Sequence, residues 1–241
     1  NNFHMKTSKV QSWPDWFDRA AKEFADPRMK IAYYKNGQTG EPYPEEAVKA
    51  THQDIFSKLS PAPTDSILDI GCGVGYFTKY FGKKVKQVTG TDVSPQMIKT
   101  AKKLNPHGIF AVAPAHKLPF KGKLFDKIFS YGVTQYLPDE KTAQEMLKGM
   151  LRLLKNDGRI LIGDILEPVH QDAKITYKKM SAKSKPWWPQ SLDHDLTKLY
   201  LARDFFKKFA KENNLKCTFY EQKITGRSIP TPRYDVILDA Q

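Results

Sequence analysis

Between positions 13 and 25 the apolar residues Trp13, Trp16, Phe17, Ala20, Ala21 and Phe24 recur at helical spacing, which predicts an amphipathic helix. Asp26-Pro27 ends it, because the residue before a proline is pushed out of the helical region. Pro44 opens a second helical stretch, Glu45 to Leu59, and Pro61 and Pro63 close that one. The rhythm then changes to short apolar runs separated by helical stretches. Strands are predicted at Ile67–Ile70, Gln87–Thr91, Ile109–Val112, Phe125–Ser130 and Arg159–Gly163. The intervening helices are Tyr76–Phe81, a stretch capped by Ser94-Pro95 and running to Leu104, and Glu140–Leu154, with Asn156-Asp157-Gly158 as a turn. Periodicity is lost from Leu166 to Asp195, a length that marks a lid or a binding insertion. A helix is predicted over Leu196–Lys211 from Leu196, Leu199, Tyr200, Phe205, Phe206 and Phe209, and two strands close the chain at Lys216–Tyr220 and Arg233–Leu238.

Strands alternating with helices specify an α/β fold with a parallel sheet and helices on both faces. Ligands of such sheets lie beyond the carboxyl ends of the strands, so the residues there become site candidates. The first strand runs directly into Asp69-Ile70-Gly71-Cys72-Gly73-Val74-Gly75. Glycine at alternate positions allows a tight turn and close approach of a ligand to the backbone. The helix that follows aims its unpaired N–H groups at a carboxylate or phosphate. A dinucleotide fingerprint requires glycine at 71, 73 and 76, but position 76 is Tyr, and no Gly-Lys-Ser/Thr phosphate loop is present. Asp92 ends the second strand, 23 positions after Asp69. An acid at this point can accept hydrogen bonds from both hydroxyls of a ribose.

The pattern D-x-G-x-G-x-G, with its third glycine early, resembles the first motif of the class I S-adenosylmethionine-dependent methyltransferases. That resemblance implies a Rossmann-like sheet of seven strands, mostly parallel with an antiparallel C-terminal edge pair, and S-adenosylmethionine as cofactor, giving S-adenosylhomocysteine. It implies that Asp69 supports the glycine loop near the amino end of the methionine moiety. Gly71, Cys72, Gly73 and Gly75 form that loop, and Asp92 with Val93 and Met97 holds the ribose side. Ala115-His116-Lys117-Leu118-Pro119-Phe120 resembles the segment that contacts adenine, which brings in Ala115 and His116. Here the expected Asp is replaced by Pro114, so backbone groups or His116 would serve. Tyr131 falls in the segment that flanks the methionine tail and the acceptor. Tyr34, in a Tyr-Tyr pair ahead of the first strand, resembles an N-terminal segment folding over the cofactor; core packing is the competing reading. The resemblance covers residues 44–241, with residues 1–43 a tag remnant plus a helical cap, and the insertion at about 166–195 set beside the active site.

The acceptor is read less directly. Asn-Pro-Pro-Tyr and Asp-Pro-Pro-Tyr are absent, which counts against methylation of adenine or glutamine nitrogen. Gln135 and Tyr136 stand where many relatives carry a His pair. Methyl transfer from a sulfonium is an in-line displacement dominated by alignment, and a hydroxyl acceptor also needs a base. His194, between Asp193 and Asp195, is the candidate base, with Asp164 at the end of the fifth strand or Asp193 assisting. The competing reading has Asp193 or Asp195 capping a helix and His194 exposed. O-methylation of a small-molecule, glycan or carrier-linked acceptor is the expected activity. RNA or protein methylation, and a non-catalytic cofactor-binding subunit, are its rivals.

Composition changes this picture little. The 241 residues carry a formal charge of +13, dominated by lysine, with no aromatic-interleaved basic motif. A lysine-rich solvated surface is therefore preferred to nucleic-acid binding, and an acidic carrier protein is a possible partner. Cys72 and Cys217 make no disulfide framework or metal spacing, and no metal site is expected. No apolar run approaches the ~20 residues of a membrane span, and a cytoplasmic location is expected.

Overall fold

The computed structural model describes residues 10–24, 41–168, 196–222 and 233–240. Its strands are β1 (Ser66–Ile70), β2 (Gln87–Asp92), β3 (Ile109–Val112), β4 (Phe125–Tyr131), β5 (Leu154–Leu166), β6 (Leu215–Glu221) and β7 (Arg233–Ala240). The helices are α1 (Trp13–Glu23), α2 (Glu45–Leu59), α3 (Tyr76–Phe81), α4 (Pro95–Leu104), α5 (Glu140–Leu153) and α6 (Arg203–Glu212). One seven-stranded sheet runs in the order β3-β2-β1-β4-β5-β7-β6. The first five strands pair in parallel, and β7 lies antiparallel between β5 and β6.

Both faces of the sheet are covered, and side chains alternate between them as strand geometry demands. Ile67, Phe129, Leu161 and Ile237 pack with α2 and α3 on one side. Leu68, Ile70, Ile128, Ile160, Ile162, Val236 and Leu238 pack with α5 and α6 on the other. Helix α4 packs beside the glycine loop through Met97, Ile98 and Ala101. It is capped by Ser94, whose Oγ accepts from the Met97 N–H at 3.1 Å, and Pro95 occupies its first turn.

The register levels the strand ends. Ile70 lies beside Thr91 and Ser130, Asp92 beside Val112, and Tyr131 beside Gly163. Gly71, Asp92, Ala113, Tyr131 and Asp164 are consequently gathered along one edge of the sheet, where the next chain segments leave it.

Two predicted elements need correction. The helix expected from Leu196 begins only at Arg203. Residues 196–202 run without regular structure because tertiary bonds claim their backbone: the Leu199 N–H donates to the Gln135 carbonyl at 2.9 Å, and the Leu201 N–H to the Leu166 carbonyl at 3.1 Å. Their apolar side chains are spaced by the walls they touch, so the helical rhythm there is accidental. The turn expected at Asn156-Asp157-Gly158 lies within β5, which starts at Leu154 opposite Phe125 and resumes its register at Arg159 after a bulge in the pairing with β4.

Candidate functional site

The glycine loop is a chain reversal held from below. The Gly71 and Cys72 N–H groups both donate to the Thr91 carbonyl, at 2.7 and 2.9 Å, and Gly75 caps α3. Gly71, Gly73 and Gly75 have φ of 75°, 53° and 80°, the left-handed region that a Cβ disfavours. A Cβ on Gly71 would also lie 2.2 Å from Val133 Cγ2, so the loop and the segment after β4 meet there at backbone distance.

Asp92 closes the loop from the next strand. Its Oδ2 accepts from the Gly73 N–H and its Oδ1 from the Ser94 N–H, both at 2.9 Å. Burial pushes its pKa up, against these backbone N–H groups, which pull it down. Asp69 lies deeper, 1 % exposed, and accepts from Thr78 Oγ1 at 3.1 Å. Burial pushes its pKa up to about 8, with the Thr78 hydrogen bond opposing and the neighbouring Asp92 adding to the rise.

A cavity of about 660 Å³ lies over this edge, within the range of small-molecule and cofactor sites. Of the residues expected at a cofactor site, Gly71, Gly73, Asp92, Val93, Met97, Ala115, His116 and Tyr131 line it. Asp69, Cys72 and Gly75 do not; Asp69 lies beneath the loop, and Cys72 and Gly75 are parts of the loop that hold its shape. The Cys72 thiol is pushed well above its ordinary pKa, first by burial and then by Asp69 and Asp92. Tyr34 and His194 lie outside the described residues.

Asp164 is placed away from the cavity wall. It is 1 % exposed, with φ 62°, and its carboxylate pairs with Arg233 Nη1 at 2.7 Å. Its own N–H donates to Asp235 Oδ1 at 2.9 Å. The same Arg233 nitrogen donates to Gln135 Oε1 at 2.8 Å, so this pair braces the turn after β4 from behind. The Tyr131 ring lies across Gly163, where a Cβ would meet it at 2.4 Å, and Gln222 Nε2 donates to its hydroxyl at 2.6 Å.

Sequence reasoning missed a large part of the cavity. Ser12, Trp13, Pro14 and Phe17 of the α1 region, Val133 to Pro138 in part, and Leu196 to Leu199 also line it. The available signal was the i, i+4 pair Trp13 and Phe17, which shares one side of the amphipathic helix α1. Helix α1 is fixed over α4 by Asp18, whose Oδ1 accepts from Ser94 Oγ at 2.9 Å and from the Gln96 N–H at 3.2 Å. Among the described residues no group of three or more His, Cys, Asp or Glu is placed to hold a metal ion.

The residues fit a nucleoside-bearing cofactor: the loop admits close approach, Asp92 offers a carboxylate, and Val93, Met97, Ala113 and Ala115 supply apolar walls. The sequence matches a family described as a methyltransferase domain over residues 68–162. The seven-stranded fold is that of S-adenosylmethionine-dependent methyltransferases of known structure. The chain is 27 % identical to an uncharacterized methyltransferase of Schizosaccharomyces pombe, over 66 % of each chain. It is 27 % identical to malonyl-[acyl-carrier protein] O-methyltransferase of Serratia marcescens, over 50 % of this chain and 48 % of that one. In fold it is similar to magnesium protoporphyrin IX methyltransferase of Synechocystis with S-adenosylhomocysteine bound, at TM-score 0.64 and 15 % identity over 95 % of this chain and 97 % of the other. Matches to the first three curated relatives span 66 %, 57 % and 32 % of their lengths, so the methyltransferase domain matches only part of them.

Proposed function

We propose that the protein transfers the methyl group of S-adenosylmethionine to an oxygen of a small-molecule, glycan or carrier-linked acceptor. The observation that carries this reading is the single cavity shared by two sets of residues: Gly71, Gly73 and Asp92 on one side, and Tyr131, Tyr136 and Leu196 to Leu199 on the other. The relative that methylates an acyl-carrier-linked acid at oxygen supports the acceptor class, as does the lack of an Asn/Asp-Pro-Pro-Tyr motif.

In this reading Asp92 accepts from the ribose hydroxyls while keeping its bonds to Gly73 and Ser94. Val93, Met97 and Ala113 to His116 flank the adenine, and Tyr131 with Gly132 borders the methionine end. When bound, the cofactor would supply an electrophilic methyl on its sulfonium, and a hydroxyl acceptor would need its proton taken by a base of this chain. Helix α1 and residues 196–199 cover the reacting groups and exclude water, and alignment supplies most of the rate. His194 is the proposed base, and Asp164, paired with Arg233, braces the site through Arg233 and Gln135.

Calorimetry with S-adenosylmethionine, followed by labelled methyl transfer into a metabolite extract, tests the reading. The expected result is stoichiometric binding and a labelled product whose methyl is shown by mass spectrometry to be on oxygen. Asp92→Ala is expected to weaken cofactor binding at least about tenfold, because hydrogen bonds to a charged group are worth about 1.5–3 kcal/mol. His194→Ala retaining full turnover would remove the base assignment. Binding without turnover on any extract would favour a non-catalytic cofactor-binding subunit.

A further inference from the structure

The two ends of the cavity differ in chemistry, and the register says which is which. Asp92, Val93, Met97 and Ala113 to His116 belong to the ends of β2 and β3 and to α4. Trp13, Phe17, Tyr136, Leu137, Leu196 and Leu199 gather at the opposite end, over the segment that follows β4. Helix α1 spans both. Asp18 anchors it at Ser94 and Gln96 beside the Asp92 end. Trp13, five positions earlier and so roughly 7.5 Å along the axis, reaches Tyr136 and Thr197 at the other.

That second end is walled by rings set at steep angles to one another. Trp13 and Tyr136 have centroids 4.8 Å apart at 63°, and Phe17 and Tyr136 are 4.9 Å apart at 83°. The Trp13 indole N–H donates to the Thr197 carbonyl at 2.9 Å, which fixes its orientation across the cavity. All three rings are half-buried, so each keeps surface for a further contact. Leu137, Pro138, Leu196 and Leu199 complete the wall.

From this geometry we infer that the methyl acceptor carries a flat aromatic ring, seated among Trp13, Phe17 and Tyr136; the inference rests on the methyl-transfer reading above. Aliphatic walls alone would take an acyl chain or a saturated ring equally well. Rings held edge to face present both a positive edge and a negative face, and another ring completes the arrangement better than a saturated body of the same size. A sugar calls for hydrogen-bonding groups spread along the wall. At this end Ser12 and Thr197 are exposed; the other polar groups of the wall are the Lys198 ammonium, 5.9 Å from the Tyr136 ring centroid, the Tyr136 hydroxyl and the Trp13 indole N–H, which is given to Thr197, and the rest of the wall is carbon. This narrows the acceptor from the broad class above to a ring-bearing hydroxyl compound.

The probes are 2-naphthol and its saturated counterpart 2-decalol, each titrated into the full chain saturated with S-adenosylhomocysteine and followed by calorimetry. 2-Naphthol is expected to bind about tenfold more tightly than 2-decalol, the size of effect two edge-to-face contacts provide. Trp13→Leu and Tyr136→Leu, which keep apolar bulk and remove a ring, are expected to bring the two ligands within about threefold while S-adenosylhomocysteine affinity holds within about threefold. If a variant loses S-adenosylhomocysteine as well, the wild-type comparison decides. Equal affinity for the two probes, no binding of 2-naphthol, or a preference that survives both substitutions overturns the inference. Failure of S-adenosylhomocysteine itself to bind the wild-type chain overturns the methyl-transfer reading, and this inference with it; normal cofactor binding without ring preference overturns this inference alone.

Discussion

At Gly71 two separate demands meet in one residue. Its φ of 75° disfavours any Cβ, and the Cβ it lacks would stand 2.2 Å from a Val133 methyl. Gly122 shares the backbone problem, at φ 79°, but has nothing within 4 Å of its missing Cβ. Gly122→Ala is therefore expected to cost about 1 kcal/mol, and Gly71→Ala about 3 kcal/mol or more; urea unfolding of the two variants measures the difference. Asp69 carries a pH dependence instead. Its folded pKa of about 8 stands above its ordinary 3.8, so the folded chain holds this proton more tightly than the unfolded one. Its contribution to stability is fully present below pH 4 and falls as pH rises towards 8, with a limiting slope of about 1.4 kcal/mol per pH unit. Asp69→Asn keeps an acceptor for Thr78 and removes the titration. The expected outcome is that the variant gains stability relative to wild type between pH 5 and pH 8, read from denaturant midpoints at each pH.

Among the elements, α1 owes its position over the cavity in part to Asp18. Asp18 bonds to Ser94 and Gln96 and pairs with Lys22 at 3.0 Å. Burial raises its pKa, but the bonds from Lys22, Ser94 and Gln96 outweigh that and leave it lowered, so the attachment is held at neutral pH and weakens on acidification. Asp18→Ala is expected to speed hydrogen exchange of the α1 amides by about tenfold, a loss of about 1.4 kcal/mol local to that helix. Helix α1 also illustrates what could and could not be read beforehand. Its existence was legible in the spacing of Trp13, Phe17 and Phe24, as were the strand-and-helix alternation, the glycine loop and the acid at Asp92, because each depends on near neighbours along the chain. Its place over the cavity was not, since that is decided by Asp18 meeting a helix cap 76 positions away. Residues 196–202 failed for the same reason: bonds to Gln135 and Leu166 override a helical pattern. Asp164 reads from its strand end as a residue assisting a base; its pairing with Arg233, 69 positions later, could not be read from the sequence.

Across the whole molecule the +13 charge is unevenly used. Most cations among the described residues are exposed, and a pair such as Lys155 with Asp126 sits near solvent, with Lys155 45 % exposed. Lys58 differs: it joins α2 to β7 by pairing at 2.7 Å with Asp235, whose side chain is 0 % exposed. Lys58→Met is expected to cost about 3 kcal/mol by leaving that carboxylate buried without its cation, whereas Lys155→Met costs under about 1 kcal/mol; thermal unfolding of the two variants compares them directly.

The seat of β7 between β5 and β6 has a consequence for how the chain is made. Residues 215–221 leave the ribosome before residues 233–240, yet they have no strand to pair with until the later segment arrives. Until then the long, apolar rim of β5 stands open, and an open rim invites pairing with another nascent chain. Completion of the sheet waits on Tyr234, Val236, Ile237 and Leu238 filling that slot. Strand β7 thus acts as a keystone, and slow or interrupted translation between β6 and β7 prolongs the interval in which the β5 rim is open to such pairing.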